Sequence, residues 1–120
     1  MGYRSDVGLC LTGAGKKVLD AKLAKLEPGT EMYRDLHGLM NFPDDKREDQ
    51  KTGAIAWLWK RLKWYPDYED VAFIEKMLRN LSEEEYLFIR VGEHLYDAEE
   101  RGDFWDNPFG MYLVRSVAFE

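Results

Sequence analysis

Ala54-Ile-Ala-Trp-Leu-Trp-Lys-Arg-Leu-Lys-Trp-Tyr65 carries three of the chain's four tryptophans and is closed by Pro66-Asp67. Its first half is apolar on both parities: Ala54, Ala56 and Leu58 alternate with Ile55, Trp57 and Trp59. Such a run suits a strand buried on both faces, and the β-branched and aromatic content, with Gly53 before it and Pro66 after it, favours a strand over a helix. The middle of a sheet is the expected place. From Lys60 onward cations alternate with Leu62 and Trp64, so the strand is expected to emerge there and present cations beside an indole.

Working outward, residues 3–11 alternate with Tyr3, Val7, Leu9 and Leu11 on one parity and Arg4, Asp6 and Cys10 on the other, the pattern of a strand with one wet face. Thr12 reads as the N-cap of an amphipathic helix over 13–26, with Leu19, Leu23 and Leu26 on its apolar side and Pro28-Gly29 as its stop. Thr30 can cap a shorter helix through Met40, in which Met32, Leu36, Leu39 and Met40 are apolar. Residues 44–52 are almost all polar or charged and of mixed sign, which predicts a mobile, solvated connection.

After the tryptophan-rich strand, Asp67 is placed to cap a helix. Val71, Ile74, Leu78 and Leu81 form its apolar stripe, Glu69 and Asp70 stand in the first turn, and Arg79 is in the last. Residues 86–91 read as a third strand and 110–119 as a fourth, separated by a long acidic loop holding Trp105 and Pro108. These elements predict one α+β domain: a two-layer sandwich with a mainly antiparallel four-stranded sheet, in a ferredoxin-like order, covered by two amphipathic helices.

The 120 residues suit one core. The chain shows no apolar run approaching a membrane span and no signal-peptide pattern at the N-terminus, so a cytoplasmic protein is expected. Cys10 is the lone cysteine; between Leu9 and Leu11 it reads as a small buried or half-buried residue rather than a reactive thiol. The net charge of −6, with pI near 5.0, argues against a nucleic-acid-binding surface spread over the whole molecule. Residues 83–106 alone carry −7, with nine acids against Arg90 and Arg101, so the remainder is close to neutral.

Several constellations imitate chemistry. Gly13-Ala14-Gly15-Lys16-Lys17-Val18 lies between a strand and a helix but has neither a third glycine nor the Gly-Lys-Ser/Thr ending of a phosphate loop. The stretch from Asp97 has acids and Gly102 at EF-hand positions, yet Arg101 and Pro108 occupy two places that need oxygen ligands. His37 and His94 have no second histidine or cysteine at ligand spacing. His94, beside Glu93 and near Asp97, reads as a surface imidazole in an acidic field. Ser5, Ser82 and Ser116 sit in no nucleophile elbow. No cofactor, metal or catalytic group is therefore assigned from sequence.

Three stretches carry a likeness: Gly2-Tyr3-Arg4-Ser5-Asp6-Val7, Lys63-Trp64-Tyr65-Pro66-Asp67-Tyr68, and Asp103-Phe104-Trp105-Asp106-Asn107-Pro108-Phe109-Gly110 with Leu113-Val114-Arg115-Ser116. Together they resemble a group of small bacteriophage and prophage proteins that have no assigned function. The resemblance implies a genomic setting in which small acidic proteins bind host proteins, inhibitors of CRISPR and other defence systems among them. It transfers no site residue.

Two functional readings stand. In one, a non-enzymatic binding protein of the bacterial cytoplasm docks a basic host-protein surface through Glu93, Asp97, Glu99, Glu100, Asp103, Trp105 and Asp106, with Phe104 and Tyr96 beside them. In the other, Lys60, Arg61, Lys63, Trp64 and Tyr65 bind single-stranded nucleic acid, against the adverse net charge. A small structural or accessory phage protein is a further alternative. The plainest reading has the acids merely solvating a loop and Trp105 anchoring it in the core. A free sheet edge such as 110–119 could also pair with a second copy.

Overall fold

The computed structural model describes residues 2–94 and 96–113. In chain order these form β1 (Ser5–Leu11), α1 (Gly13–Ala24), α2 (Glu31–Asn41), β2 (Asp45–Glu48), β3 (Ile55–Leu62), α3 (Glu69–Asn80), a 3-10 turn (Glu83–Glu85), β4 (Tyr86–Gly92) and β5 (Ala98–Gly102). The architecture is α+β, with an open antiparallel sheet in the order β2-β3-β1-β4-β5. The described residues thus hold five strands where the sequence pattern predicted four; the three helices stand where the pattern placed helices, although only two were expected to cover the sheet.

Register sets what each face of the sheet buries. Val7, Leu9 and Leu11 of β1 pair with Trp59, Trp57 and Ile55 of β3 and with Arg90, Phe88 and Tyr86 of β4. All but Arg90 join the main core, together with Leu19 of α1, Leu36, Leu39 and Met40 of α2, and Val71, Ile74, Met77 and Leu78 of α3. Trp57 and Trp59 lie on this helix-covered face with ring planes 5° apart. Their indole N–H groups donate to the carbonyls of Met40 (3.0 Å) and Leu39 (2.8 Å). Those carbonyls belong to the last turn of α2, which has no intrahelical donor to offer them, so two buried tryptophans close the helix end.

The opposite face is not wet. Cys10, Ala56, Leu87 and Ile89 form a second, smaller core there, packed under Phe104, Phe109, Met111 and Leu113. The segment 104–113 therefore crosses this face as a strap, and β1 is buried on both sides, contrary to the one-wet-face expectation. Gly8 leaves room for the Met111 side chain: a Cβ there would stand 2.8 Å from its Sδ, so the thioether would have to shift. Asn107 holds the strap's bend. Its Nδ2 donates to the carbonyls of Phe104 (3.1 Å) and Met111 (3.2 Å), while its Oδ1 accepts from the amides of Phe109 (3.2 Å) and Met111 (2.9 Å).

The other departures have local reasons. β1, not β3, takes the centre of the sheet; β3 lies between β1 and β2. Residues 45–48, expected in a solvated connection, form edge strand β2, whose exposed side chains carry no period-2 signal even though its backbone pairs with β3. Residues 98–102, expected in the acidic loop, form edge strand β5. Residues 110–113 are not in a strand, and 114–119 of the predicted fourth strand lie outside the described residues. Tyr68, rather than Asp67, stands at the α3 N-cap. Thr12 and Thr30 cap α1 and α2 as expected, their hydroxyls accepting the amides of Gly15 and Tyr33 at 3.2 Å. Trp64, expected to be presented beside the cations, is 6% exposed; it donates to Glu75 Oε2 at 3.0 Å and packs on Phe88.

Candidate functional site

The acidic run folds into a hairpin of β4 and β5 added at one side of the sheet, and Arg90 is its hinge pin. From the helix-covered face of β4 the Arg90 guanidinium reaches Asp97 through two nitrogens (2.7 and 3.1 Å), Glu99 through Nε (2.6 Å) and the Ser5 hydroxyl (3.0 Å). Asp97 also accepts the Tyr3 hydroxyl at 2.5 Å, and that hydroxyl in turn accepts the His94 amide at 2.9 Å. Gly92 leaves the room for this meeting, since a Cβ there would collide with both Asp97 Oδ2 and the Tyr3 hydroxyl.

The electrostatics follow from the contacts. Hydrogen bonds from Arg90, then from Tyr3, hold the Asp97 carboxyl down at about 2. Partial loss of water and the bond to Asp97 raise the Tyr3 hydroxyl. The two carboxylates push the Arg90 guanidinium further towards its charged form, led by the hydrogen bonds it donates to Asp97. Farther along β5, Arg101 pairs with Glu75 of α3 and lies 4.5 Å over the Phe88 ring. The hairpin is thus tied to the N-terminal segment, to β1 and to α3.

The seven sequence-predicted residues divide into two groups. Asp97 and Glu99 point inward to Arg90, and Glu93 Oε2 accepts the Arg4 amide at 2.6 Å, so these three are structural fastenings. Glu100, Asp103 and Asp106 are exposed, and none of their carboxylates meets a cation among the described residues. Trp105 is 42% exposed and joins neither core among the described residues, which disfavours the reading of it as a core anchor; Tyr96 is 86% exposed. Phe104 is half-buried against the second core. The sequence reading missed Arg90, Tyr3 and Asn107. An arginine two residues from the end of an apolar strand, followed by acids at 97 and 99, was the available signal for Arg90; nothing local marked the other two.

At the far end of β3 the cations stand differently from expectation. A bulge opposite Asp6 puts Arg61 at φ 55°, in the left-handed region. The freed amides are capped by carboxylates: Asp44 takes Lys60 N–H at 2.6 Å and Asp6 takes Arg61 N–H at 3.0 Å. With Trp64 buried, the indole stacking platform required by the nucleic-acid reading is lost, and three acids (Asp6, Asp44, Glu93) stand around the cations.

Cys10 is fully buried, and its thiol is pushed up to about 12 by burial; it lies 3.5 Å from Met111 Sδ. Among the described residues no three His, Cys, Asp or Glu side chains gather to hold a metal ion, and no helix is long and apolar enough to cross a membrane. No family model matches the chain, and neither does any curated protein or solved structure.

Proposed function

We propose that this chain is a non-enzymatic binding protein that docks a basic protein surface on the outer side of its β4–β5 hairpin. The observation that carries the reading is the sorting of the acids. Those able to fasten the hairpin face inward, whereas Glu100, Asp103 and Asp106 are exposed, in the same stretch of chain as the exposed Tyr96 and Trp105. Aromatic anchors rimmed by unpaired charge of one sign are the usual make-up of a protein-recognition surface.

The fold supports the same reading. We take β1 to β4, in the order β2-β3-β1-β4 with helical crossovers, as a ferredoxin-like core, and β5 as an addition to it. The added strand is then free to serve recognition. The resemblance to phage and prophage proteins suggests the partner's origin: a bacterial host factor, with nucleic-acid-handling defence proteins such as CRISPR effectors as the first candidates because their surfaces are basic. The nucleic-acid-binding reading ranks below this one because Trp64 is buried.

The test is capture from host lysate on immobilised wild type and on the Glu100→Gln/Asp103→Asn/Asp106→Asn variant. A partner retained by the wild type at low salt, lost by the variant and weakened by salt supports the proposal. Equal capture by both, insensitive to salt, refutes it.

A further inference from the structure

The β5 edge offers more than side chains. In an antiparallel ladder, pairs that exchange backbone hydrogen bonds alternate with pairs that do not. The Gly92 amide donates to the Asp97 carbonyl at 2.8 Å, and the Asp103 amide donates to the Tyr86 carbonyl at 3.1 Å. With the register of β4 and β5, these two bonds place Arg90/Glu99 and Phe88/Arg101 among the bonded pairs. Val91/Ala98 and Ile89/Glu100 are then the non-bonded ones. The amides and carbonyls of Ala98 and Glu100 therefore point away from β4, and among the described residues nothing bonds them.

We infer that this edge receives an extended, lysine- or arginine-rich segment of the partner as a sixth strand. The inference rests on the reading above and adds its geometry. Charge complementarity chooses the occupant: Glu100 stands on the edge with Asp103 and Asp106 just beyond it, all exposed and without a cation among the described residues. Glu99 and Arg101, the alternating residues, are already engaged with Arg90 and Glu75, which holds β5 in the pose an incoming strand needs. Five residues at about 3.3 Å each give a track of about 17 Å, with Tyr96 before it and Trp105 after it.

The opposite edge is a poorer receptor. On β2 each face carries one charge of each sign, Asp45 with Arg47 on one and Lys46 with Glu48 on the other, so an incoming strand of either charge meets repulsion. A second copy is also a poor occupant of β5, because antiparallel self-pairing centred on the strand sets Glu100 against Glu100. The mode is β-augmentation, with main-chain bonds giving affinity and alternate side chains giving selectivity.

The experiment uses the full chain, isotopically labelled, and the capped peptide Lys-Thr-Lys-Val-Lys-Thr-Lys at low salt. Slowed hydrogen exchange at the Ala98 and Glu100 amides on adding peptide is expected. Glu100→Gln removes only the charge and should weaken binding about two- to fivefold. Glu100→Pro removes the charge and the outward amide, leaves the β4 ladder intact because that amide is not in it, and should weaken binding at least tenfold beyond Glu100→Gln. A wild-type titration with a peptide N-methylated at alternate residues gives the same comparison without any variant and should show the same loss.

Salt-sensitive binding with no protection of Ala98 and Glu100, and equal losses for the two variants, would overturn the sixth strand while leaving the acidic docking surface standing. Absence of any salt-sensitive binding would overturn both. Dimerisation of the free chain that Glu100→Pro abolishes would make a second copy the occupant and overturn the inference.

Discussion

Asn107→Ala isolates the strap from the rest of the fold. The side chain is 7% exposed and makes four hydrogen bonds, all to backbone groups of residues 104–111. At about 0.5 to 1.5 kcal/mol net for each, with water able to reach part of the half-exposed strap, the loss should be about 2 to 4 kcal/mol. Urea melts followed by tryptophan fluorescence measure it. Cys10 provides a second readout: it lies fully buried beneath the strap, and its thiol is pushed up to about 12, so in the wild type a maleimide should label it very slowly. Release of the strap in Asn107→Ala should raise that rate at least tenfold before the helix-covered core unfolds. Asn107→Asp keeps the acceptor but sets a carboxylate oxygen against the carbonyls of Phe104 and Met111, so it should cost at least as much as Asn107→Ala. A stability loss under about 0.5 kcal/mol together with unchanged labelling would show that the apolar contacts of Phe109 and Met111, not Asn107, hold the segment.

Leu78→Ala removes a fully buried side chain from the main core and should cost about 2 to 5 kcal/mol in urea melts; a loss below about 1 kcal/mol would contradict its placement. Asp97 is held at about 2 in the folded chain against an ordinary 3.8, so the folded form gives up this proton more readily than the unfolded one. The stability this adds is present above about pH 4 and is lost as pH falls towards 2, so the urea midpoint should drop more steeply over that window in the wild type than in Asp97→Asn. Trp105→Ala should leave stability within about 1 kcal/mol, because the ring lies outside both cores, and should raise the off-rate of a captured partner; a large stability loss with an unchanged off-rate would make it a structural residue.

What the sequence made legible were the elements with a periodic apolar face. The Thr12 and Thr30 caps, the α3 stripe through Val71, Ile74 and Leu78, and the doubly apolar run from Ile55 to Trp59 all had local signals and are all present. Both edge strands were missed, because edge residues face solvent on one or both sides: Asp45-Lys46-Arg47-Glu48 and Ala98-Glu99-Glu100-Arg101-Gly102 carry no apolar alternation. The wet-face reading of β1 failed for a different reason. Gly8 and Cys10 look like weak core residues until Met111, about a hundred residues later, is laid over them. In the candidate site the acids were found by composition, but their division into fastenings and free charges depends on Arg90 and Tyr3, whose contacts with residues 97 and 99 are tertiary.

That division changes what the charge of −7 over residues 83–106 means. Glu85 bonds back to Ser82 in a capping box, Glu93 caps the Arg4 amide, and Asp97 and Glu99 surround Arg90, so four of the nine acids hold the chain in place. Their charges still add to the long-range field, but they cannot be given to a partner without loosening the hairpin. On the proposed function, short-range recognition would fall to the others, and Glu100, Asp103 and Asp106 are the three that follow or occupy the outer strand. If that proposal holds, the two sets have separate tasks: the inward acids fasten β5 through Arg90, and the outward acids would set the sign of what the edge attracts. Neutralising the outward set should therefore act on association and leave folding nearly untouched, whereas neutralising the inward set should act on the hairpin first and on binding only through it.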